Sequence, residues 1–263
     1  MDTPILDAEV LLSHAWGRSR TELLTHPEVI PPREVAGRFS GWMSRRFRRE
    51  PLAYIIGDRE FYGVSFEVSP AVLIPRPETE TLVEAAIGLI RDASAPMVAD
   101  IGVGSGAVAI SIAKAVPAAL IYGTESSADA LEIGCRNAQR AGVQDRVHSL
   151  QGDLFGPLAG MTFRLIVSNP PYIPSDEIES LQLEIAKYEP RQALDGGPDG
   201  LDYHRRLAGD AFAYLKENGV LAVEVGAGQA DAVKALFRAA GLRDVRSVRD
   251  YGGVERVVLG EKG

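Results

Sequence analysis

From Val98 onward the chain alternates short apolar runs with helical stretches, and this alternation constrains its fold more than any other feature. Val98–Ile101, Leu120–Thr124, Val147–Gln151, Arg164–Ser168 and residues 220–225 read as strands, because short runs rich in Val, Ile and Leu suit strands buried on both faces. Between them, Gly106–Ala115 is a helix stopped before Pro117 and Ala128–Ala141 a helix closed by Gly142. Residues 201–217 form a helix closed by Asn218-Gly219, and 229–240 one closed by Gly241. Two terminal strands follow near 245–249 and 255–259. Repeated strand-helix units pack as parallel strands covered by crossover helices, so the expected fold is α/β, a doubly wound, mostly parallel sheet with helices on both faces.

Upstream the pattern changes. Val10, Leu11 and Leu12 run to a stop at Gly17, and Ser19-Arg20-Thr21-Glu22 has the spacing of a capping box. After the break at Pro31-Pro32, residues 33–49 regain helical spacing through Val35, Phe39, Trp42 and Phe47. Trp16 and Trp42 are expected in the core of this small helical unit, residues 1–57. Phe61-Tyr62-Gly63-Val64-Ser65-Phe66-Glu67-Val68 alternates about a glycine and predicts a β-hairpin within a linker, residues 58–75. Residues 79–92 are helical in pattern and open the main body, residues 76–263.

Several classes of chemistry are excluded at this stage. Cys135 is the single cysteine, and His14, His26, His148 and His204 lie far apart, so no zinc cluster or disulfide framework is expected. Cys135 falls in a predicted helix and reads as packed or inert, and His204 and Tyr203, after the Gly-Gly segment, could approach the cleft. No apolar run is long enough for a spanning helix and the start lacks the basic and apolar regions of a signal peptide, so a soluble, cytoplasmic protein is expected. The net charge of −8 is carried by the body: residues 1–60 balance nine Lys/Arg against nine Asp/Glu, and residues 61–263 hold nineteen against twenty-seven. An acidic body disfavours affinity built on phosphate neutralisation. The stripe Arg45-Arg46 and Arg48-Arg49 reads as a solvated helix face.

Two segments carry chemistry. Asp100-Ile101-Gly102-Val103-Gly104-Ser105-Gly106 joins the first strand of the body to a helix, where a doubly wound fold brings backbone close to a nucleotide-like ligand. Glu125 ends the next strand, placed to accept hydrogen bonds from two ribose hydroxyls. With Ala107 the turn also satisfies Gly-x-Gly-x-x-Ala, so a nicotinamide dinucleotide remains an alternative. Asp100 favours S-adenosyl-L-methionine, because a carboxylate repels a pyrophosphate and pairs with an ammonium. Asp153, in Gln151-Gly152-Asp153-Leu154, is either an acceptor for an adenine amino group, with Leu154 against the ring, or an ordinary turn aspartate.

Asn169-Pro170-Pro171-Tyr172 follows an apolar strand at its carboxyl end. A planar nitrogen conjugated to a carbonyl or ring is a weak nucleophile and must be oriented. The Asn169 Oδ1 and the Pro170 carbonyl can accept the two N–H bonds of a substrate NH₂ group, holding its nitrogen in line with an electrophilic methyl. The prolines stiffen that geometry, since Pro170 has a fixed φ and Pro171 keeps it out of the α region. Tyr172 offers a flat face to a planar amide or base.

Together, Ile74-Pro75-Arg76-Pro77-Glu78-Thr79-Glu80, the glycine turn and Asn169-Pro170-Pro171-Tyr172 resemble the HemK/PrmC family of release-factor glutamine methyltransferases. The resemblance extends to the hairpin, to Ala193-Leu194-Asp195-Gly196-Gly197-Pro198-Asp199-Gly200-Leu201, and to Glu224-Val225-Gly226 with Gln229. It implies an S-adenosylmethionine-dependent methyltransferase domain that methylates N5 of the glutamine in the Gly-Gly-Gln motif of peptide-chain release factors, with the helical unit gripping the protein substrate. It further implies that Gly102, Gly104 and Gly106 line the cofactor turn, Glu125 holds the ribose, Leu154 sits by the adenine and Asn169 to Tyr172 receive the glutamine. Arg76, Pro77, Glu78 and Thr79 would lie at the entrance. A monomer needing neither membrane nor nucleic acid is expected. The chain departs from the family in Glu125, where Asp is frequent, in Leu154, where an aromatic residue can stand, and in a shorter helical unit, from a missing helix or a start assigned late. The alternatives are amino-group methylation of an RNA or DNA base, a nicotinamide-dependent oxidoreductase, and a non-catalytic S-adenosylmethionine-binding module.

Overall fold

The computed structural model describes residues 3–263. Four helices come first: α1 (Pro4–Trp16), α2 (Arg20–Thr25), α3 (Arg33–Phe47) and α4 (Leu52–Ile56). Helix α1 begins on a proline and ends at Gly17, whose φ of 70° is the left-handed cap that glycine adopts without strain. Ser19 and Glu22 cap α2 reciprocally, as their spacing predicts. The hairpin pairs β1 (Asp58–Phe61) with β2 (Val64–Glu67) through Tyr62 and Gly63, both at positive φ, a turn whose twist matches that of paired strands.

The main body contains α5 (Glu80–Ile90), β3 (Met97–Ile101), α6 (Ala107–Ala115), β4 (Leu120–Glu125), α7 (Ala128–Arg140), β5 (Val147–Gln151) and β6 (Phe163–Ser168). It continues with α8 (Leu183–Tyr188), α9 (Asp202–Tyr214), β7 (Leu215–Glu224), α10 (Ala230–Ala239), β8 (Arg243–Arg249) and β9 (Glu255–Glu261). One seven-stranded sheet has the order β5-β4-β3-β6-β7-β9-β8, in which β9 runs antiparallel to both neighbours and every other pairing is parallel. Successive residues of β6 enter opposite cores: Leu165 and Val167 pack with Leu82, Ile110 and Ile112, and Ile166 packs with Phe155, Phe163 and Phe237. The two-residue period thus fills both faces of the sheet, the burial expected of an apolar strand in a doubly wound fold.

The strand order reverses between β3 and β6, which leave in opposite directions from the middle of the sheet. Such a switch point opens a crevice beyond the carboxyl ends of the strands. Ser168 Oγ donates to the Ile101 carbonyl at 2.6 Å and ties the two strand ends together.

Several expectations are corrected. The helix predicted over 201–217 ends at Tyr214, because Leu215 pairs with Phe163 across a register shift and draws the next residues into β7. Cys135 is exposed, since it falls on the outer face of α7 while Ile133, Gly134, Asn137 and Ala138 are buried. Trp16 and Trp42 are only half-buried and Phe47 is exposed, because the helical unit is too thin to cover large rings. The arginine stripe is a solvated face only at Arg48, which is exposed: Arg46 is buried and bonds Asp7 and Glu184, Arg49 bonds Glu184, and Arg45 bonds Glu50. Among the described residues no helix is long and apolar enough to cross a membrane, and no group of His, Cys, Asp and Glu is arranged to hold a metal.

Candidate active site

A cleft opens at the carboxyl ends of β3, β4 and β6. Of the residues singled out in the sequence, Arg76, Thr79, Asp100, Gly102, Val103, Gly104, Ser105, Glu125, Asp153, Leu154, Asn169, Pro170 and Pro171 line it. Tyr172 lines an adjoining cavity, which shares Leu73, Arg76, Asn169, Pro170 and Ala193 with the cleft and is otherwise largely apolar, through Ile173, Leu181, Ile185 and Leu194. Gly106 instead caps α6 at φ 84°, and Pro77 and Glu78 are exposed and line neither cavity. His204 is buried with its Nε2 donating to the Glu224 carbonyl at 2.9 Å, and burial holds it below its ordinary pKa, so it keeps out of the cleft. Tyr203 does reach the cleft wall.

The glycine turn is held by its neighbours. The Gly102 and Val103 amides both donate to the Thr124 carbonyl at 2.9 Å, and Gly102, Gly104 and Gly106 all have positive φ, a backbone path closed to most side chains. Asp100 is 2% exposed at the base of the turn and accepts the Ala109 amide on Oδ2 at 3.0 Å. Burial raises its pKa to about 7, against the pull of that hydrogen bond. Glu125 is fixed at both oxygens, Oε2 by the Gly104 amide (3.1 Å) and Oε1 by the Ser127 amide (2.9 Å) and the Ser126 hydroxyl (3.3 Å), so Oε2 keeps a second lone pair. Leu154 reaches the cleft from a backbone with φ 44°, a strained conformation for a leucine. The Asp153 carboxylate pairs with Arg206 and is largely exposed.

On the opposite wall, Asn169 Nδ2 donates to the Thr79 hydroxyl at 3.1 Å, which turns the other end of the amide, Oδ1, away from Thr79. Arg76 pairs with the buried Glu189, whose pKa burial raises in spite of the arginine. The main chain of Tyr172 is clamped: Gln229 Nε2 donates to its carbonyl at 2.9 Å while Gln229 Oε1 accepts the Gly226 amide at 2.9 Å. A side chain at Gly200 would meet the Tyr172 carbonyl at 2.3 Å, so only glycine allows this approach. The sequence motifs give no chemistry to Glu224, which ends β7 beside Tyr172, or to Gln229. The only sequence sign of either was the resemblance in Glu224-Val225-Gly226 and Gln229.

Comparison with known proteins follows the same lines. Residues 1–57 match the PrmC N-terminal domain and residues 81–189 the methyltransferase small domain. A release factor glutamine methyltransferase of Geobacter sulfurreducens is 47% identical over 98% of this chain and 89% of its own length. One from Caulobacter vibrioides is 42% identical over 100% of this chain and 91% of its own. In fold, the chain is similar to a methyltransferase from Pyrococcus furiosus, with a TM-score of 0.58 at 19% identity over 85% of this chain and 99% of that one. Identity of this order along nearly the whole length of both chains places the sequence with those relatives: it belongs to the release factor glutamine methyltransferase family.

Proposed function

We propose that this chain transfers a methyl group from S-adenosyl-L-methionine to the side-chain nitrogen N5 of the glutamine in the Gly-Gly-Gln motif of peptide-chain release factors, with residues 1–57 docking the protein substrate. The observation that carries this reading is the orientation of Asn169, whose amide nitrogen is committed to Thr79 at the boundary between an acidic cleft and a mostly apolar cavity.

The cleft fits the cofactor. Asp100 is a buried carboxyl with a raised pKa, which a cationic amino-acid tail would bring back into the ionised form. Glu125 keeps a free lone pair on Oε2 for one hydroxyl and can take a second on Oε1 in place of the exposed Ser126 hydroxyl, and the buried Thr124 hydroxyl in the cleft wall has no hydrogen-bond partner among the described residues. Gly102 to Ser105 give backbone approach, with Leu154 and Asp153 on the far side. When bound, the cofactor supplies an electrophilic methyl group carried on a positively charged sulfur.

The residues of the chain supply position. Asn169 Oδ1 accepts one N–H of the glutamine amide and the Pro170 carbonyl the other, which aims the nitrogen lone pair at the methyl carbon. The stiff Pro170-Pro171 pair holds the two acceptors at a fixed separation. The N–C bond would form as the methyl–sulfur bond breaks, its electron pair leaving with sulfur as a neutral thioether; the nitrogen then loses conjugation and its proton becomes acidic, so water can accept it without a strong base. The acidic balance of the body and the internal pairing of the arginine stripe favour a protein acceptor over a polyanion.

Incubation with labelled S-adenosylmethionine should put label on recombinant release factor and none on a Gln→Ala variant of its Gly-Gly-Gln. Asn169→Ala should lower turnover by about a hundredfold or more while cofactor affinity stays within about threefold. Label in RNA or DNA but not in release factor would overturn the reading.

A further inference from the structure

Pro170 and Pro171 carry no backbone N–H, and among the described residues nothing donates to their carbonyls. The Pro170 carbonyl is thus open to an incoming amide, but hydrogen bonds can hold this stretch only from its ends. On the strand side Asn169 follows β6, whose last residue Ser168 is tied to Ile101, and its side chain bonds Thr79. On the other side the first anchored group after the prolines is the Tyr172 carbonyl, and its donor is Gln229 Nε2 at 2.9 Å.

Gln229 is itself fixed. It precedes α10, its main-chain carbonyl accepts the Val233 amide at 3.1 Å, and Val233, like Ala230 and Phe237, is buried in the core. Its side-chain amide has one possible orientation. Oε1 accepts from the Gly226 N–H, which can only donate, so Nε2 must face the Tyr172 carbonyl, which can only accept, with the Gly200 carbonyl 3.5 Å away. A Cβ at Gly226 would lie 2.8 Å from Gln229 Oε1, so a side chain there would push the amide out of place. The segment Leu194–Gly200 bounds the same main chain. The Leu194 carbonyl accepts the Ile173 amide at 3.0 Å, the Gly196 amide donates to the Ile173 carbonyl at 2.8 Å, and the Gly197 carbonyl accepts the Ser175 amide at 3.0 Å. A Cβ at Gly196 would lie 2.8 Å from the Tyr172 Cα. Glycine backbone and one side-chain amide therefore set the path of the chain as it leaves the prolines.

We infer that Gln229 is a positioning residue for the methyl acceptor: by holding the Tyr172 carbonyl it fixes, through two prolines of restricted φ, where the Pro170 carbonyl stands. Gln229 lines neither cavity, so its effect on the reaction passes through the main chain it holds. The inference rests on the proposed amide acceptor and deepens it, adding a residue that does not touch substrate. A displacement of about 1 Å in a reacting geometry costs on the order of a hundredfold in rate.

The test measures kcat, the KM for release factor and the cofactor Kd in the wild type, Gln229→Glu and Gln229→Met. Gln229→Glu keeps an oxygen for the Gly226 amide and, when ionised, turns its second oxygen toward two carbonyls. Gln229→Met keeps the length of the side chain and loses both hydrogen bonds. At about pH 8 each variant should lower kcat by about tenfold to a hundredfold, with KM and cofactor Kd within about threefold. On acidification the new carboxyl takes up a proton and donates it to the Tyr172 carbonyl in place of Nε2. The facing carbonyls disfavour its charged form, so kcat of Gln229→Glu relative to wild type should rise several-fold between about pH 8 and about pH 6, while that of Gln229→Met should stay flat. Tyr172, Asp199, Asp202, His204, Arg256 and Glu224, whose pKa burial raises to about 7, belong to the neighbouring segments and are present in all three proteins, so the ratio cancels their titration. Wild-type kcat in Gln229→Met would overturn the inference, as would a flat ratio for Gln229→Glu. Fewer sites, counted by cofactor binding, with unchanged kcat per site would mark a purely structural role and overturn it too. Should Gln229→Glu fail to fold, Gln229→Met decides alone. A readout independent of the acceptor is the carbonyl carbon resonance of Pro170 and of Tyr172, both of which should shift in Gln229→Met. An unmoved Pro170 resonance refutes this inference, whereas a wild type that labels no release factor refutes the proposed acceptor.

Discussion

Asp100 shows how a single residue can be costly to the fold and useful to the site. Its pKa is raised by burial from 3.8 to about 7, so the folded chain holds this proton more tightly than the unfolded chain does. The contribution to stability is therefore full at low pH and is lost as pH rises through the folded value. Asp100→Asn keeps an oxygen for the Ala109 amide and removes the charge. At about pH 8 the ligand-free variant should be more stable than the wild type by several kcal/mol, on the order of 4, and the two should melt together only at about pH 3.5, below the unfolded value. Glu224 is present in both proteins, so its own titration cancels. Cofactor affinity should fall by at least about tenfold if Asp100 pairs with the ammonium as proposed. Equal melting temperatures at both pH values would contradict this account. Asp100, Glu125 and Asn169 were legible in the sequence because each sits in or beside a turn motif at a strand end. Glu224 and the bond from Asn169 to Thr79 were not, because they depend on the register of β6 against β7 and on where the turn before α5 lands.

At the scale of elements, Gly134 decides how close α7 may come to the glycine turn. Glycine inside a helix normally costs about 1 kcal/mol against alanine, so an alanine here would by itself stabilise the chain. A Cβ at Gly134, however, would lie 2.9 Å from the Gly104 carbonyl, a backbone atom that cannot swing aside. Overpacking of this kind costs about 1–3 kcal/mol and should exceed the propensity gain. Gly134→Ala is thus expected to lower Tm in spite of better helix propensity and to weaken cofactor binding several-fold by displacing the turn. A variant as stable as the wild type, with the same Kd by calorimetry, would show that α7 yields freely. Most boundaries of helices and strands could be read from period and caps, as at Gly17, Ser19 and Gly142. The early end of α9 could not, because the pairing of Leu215 with Phe163 draws the chain into β7. Nor could α8, which has six residues, none of them buried. Its place is set by partners distant in sequence.

Those partners join the ends of the molecule. Arg46 on α3 bonds Asp7 on α1 at 2.7 Å and Glu184 on α8 at 3.0 Å, and Arg49 bonds Glu184 at 3.0 Å. Tyr188 Oη on α8 donates to the Arg48 carbonyl at 2.6 Å. Ile185 of the same helix lines the apolar cavity, so the helical unit and the wall of that cavity share one network. The alternation of strands and helices foretold the sheet, and hence that the glycine turn and Asn169 would meet at its switch point. It carried no sign that the arginine stripe would face inward, because whether a charged face is solvated depends on which acids the tertiary fold brings to it. Arg46 is 7% exposed and Asp7 is 4% exposed, so losing one partner strands a buried charge, whereas losing both need not. Arg46→Met should destabilise the chain by about 3 kcal/mol, and Arg46→Met with Asp7→Leu by less than half of that, measured by urea unfolding. The single variant should also raise the KM for release factor, since α8 loses one of its ties while the cofactor cleft is untouched. If the single and double variants unfold alike, the pair acts as an ordinary surface bridge and the network does not hold α8 to the helical unit.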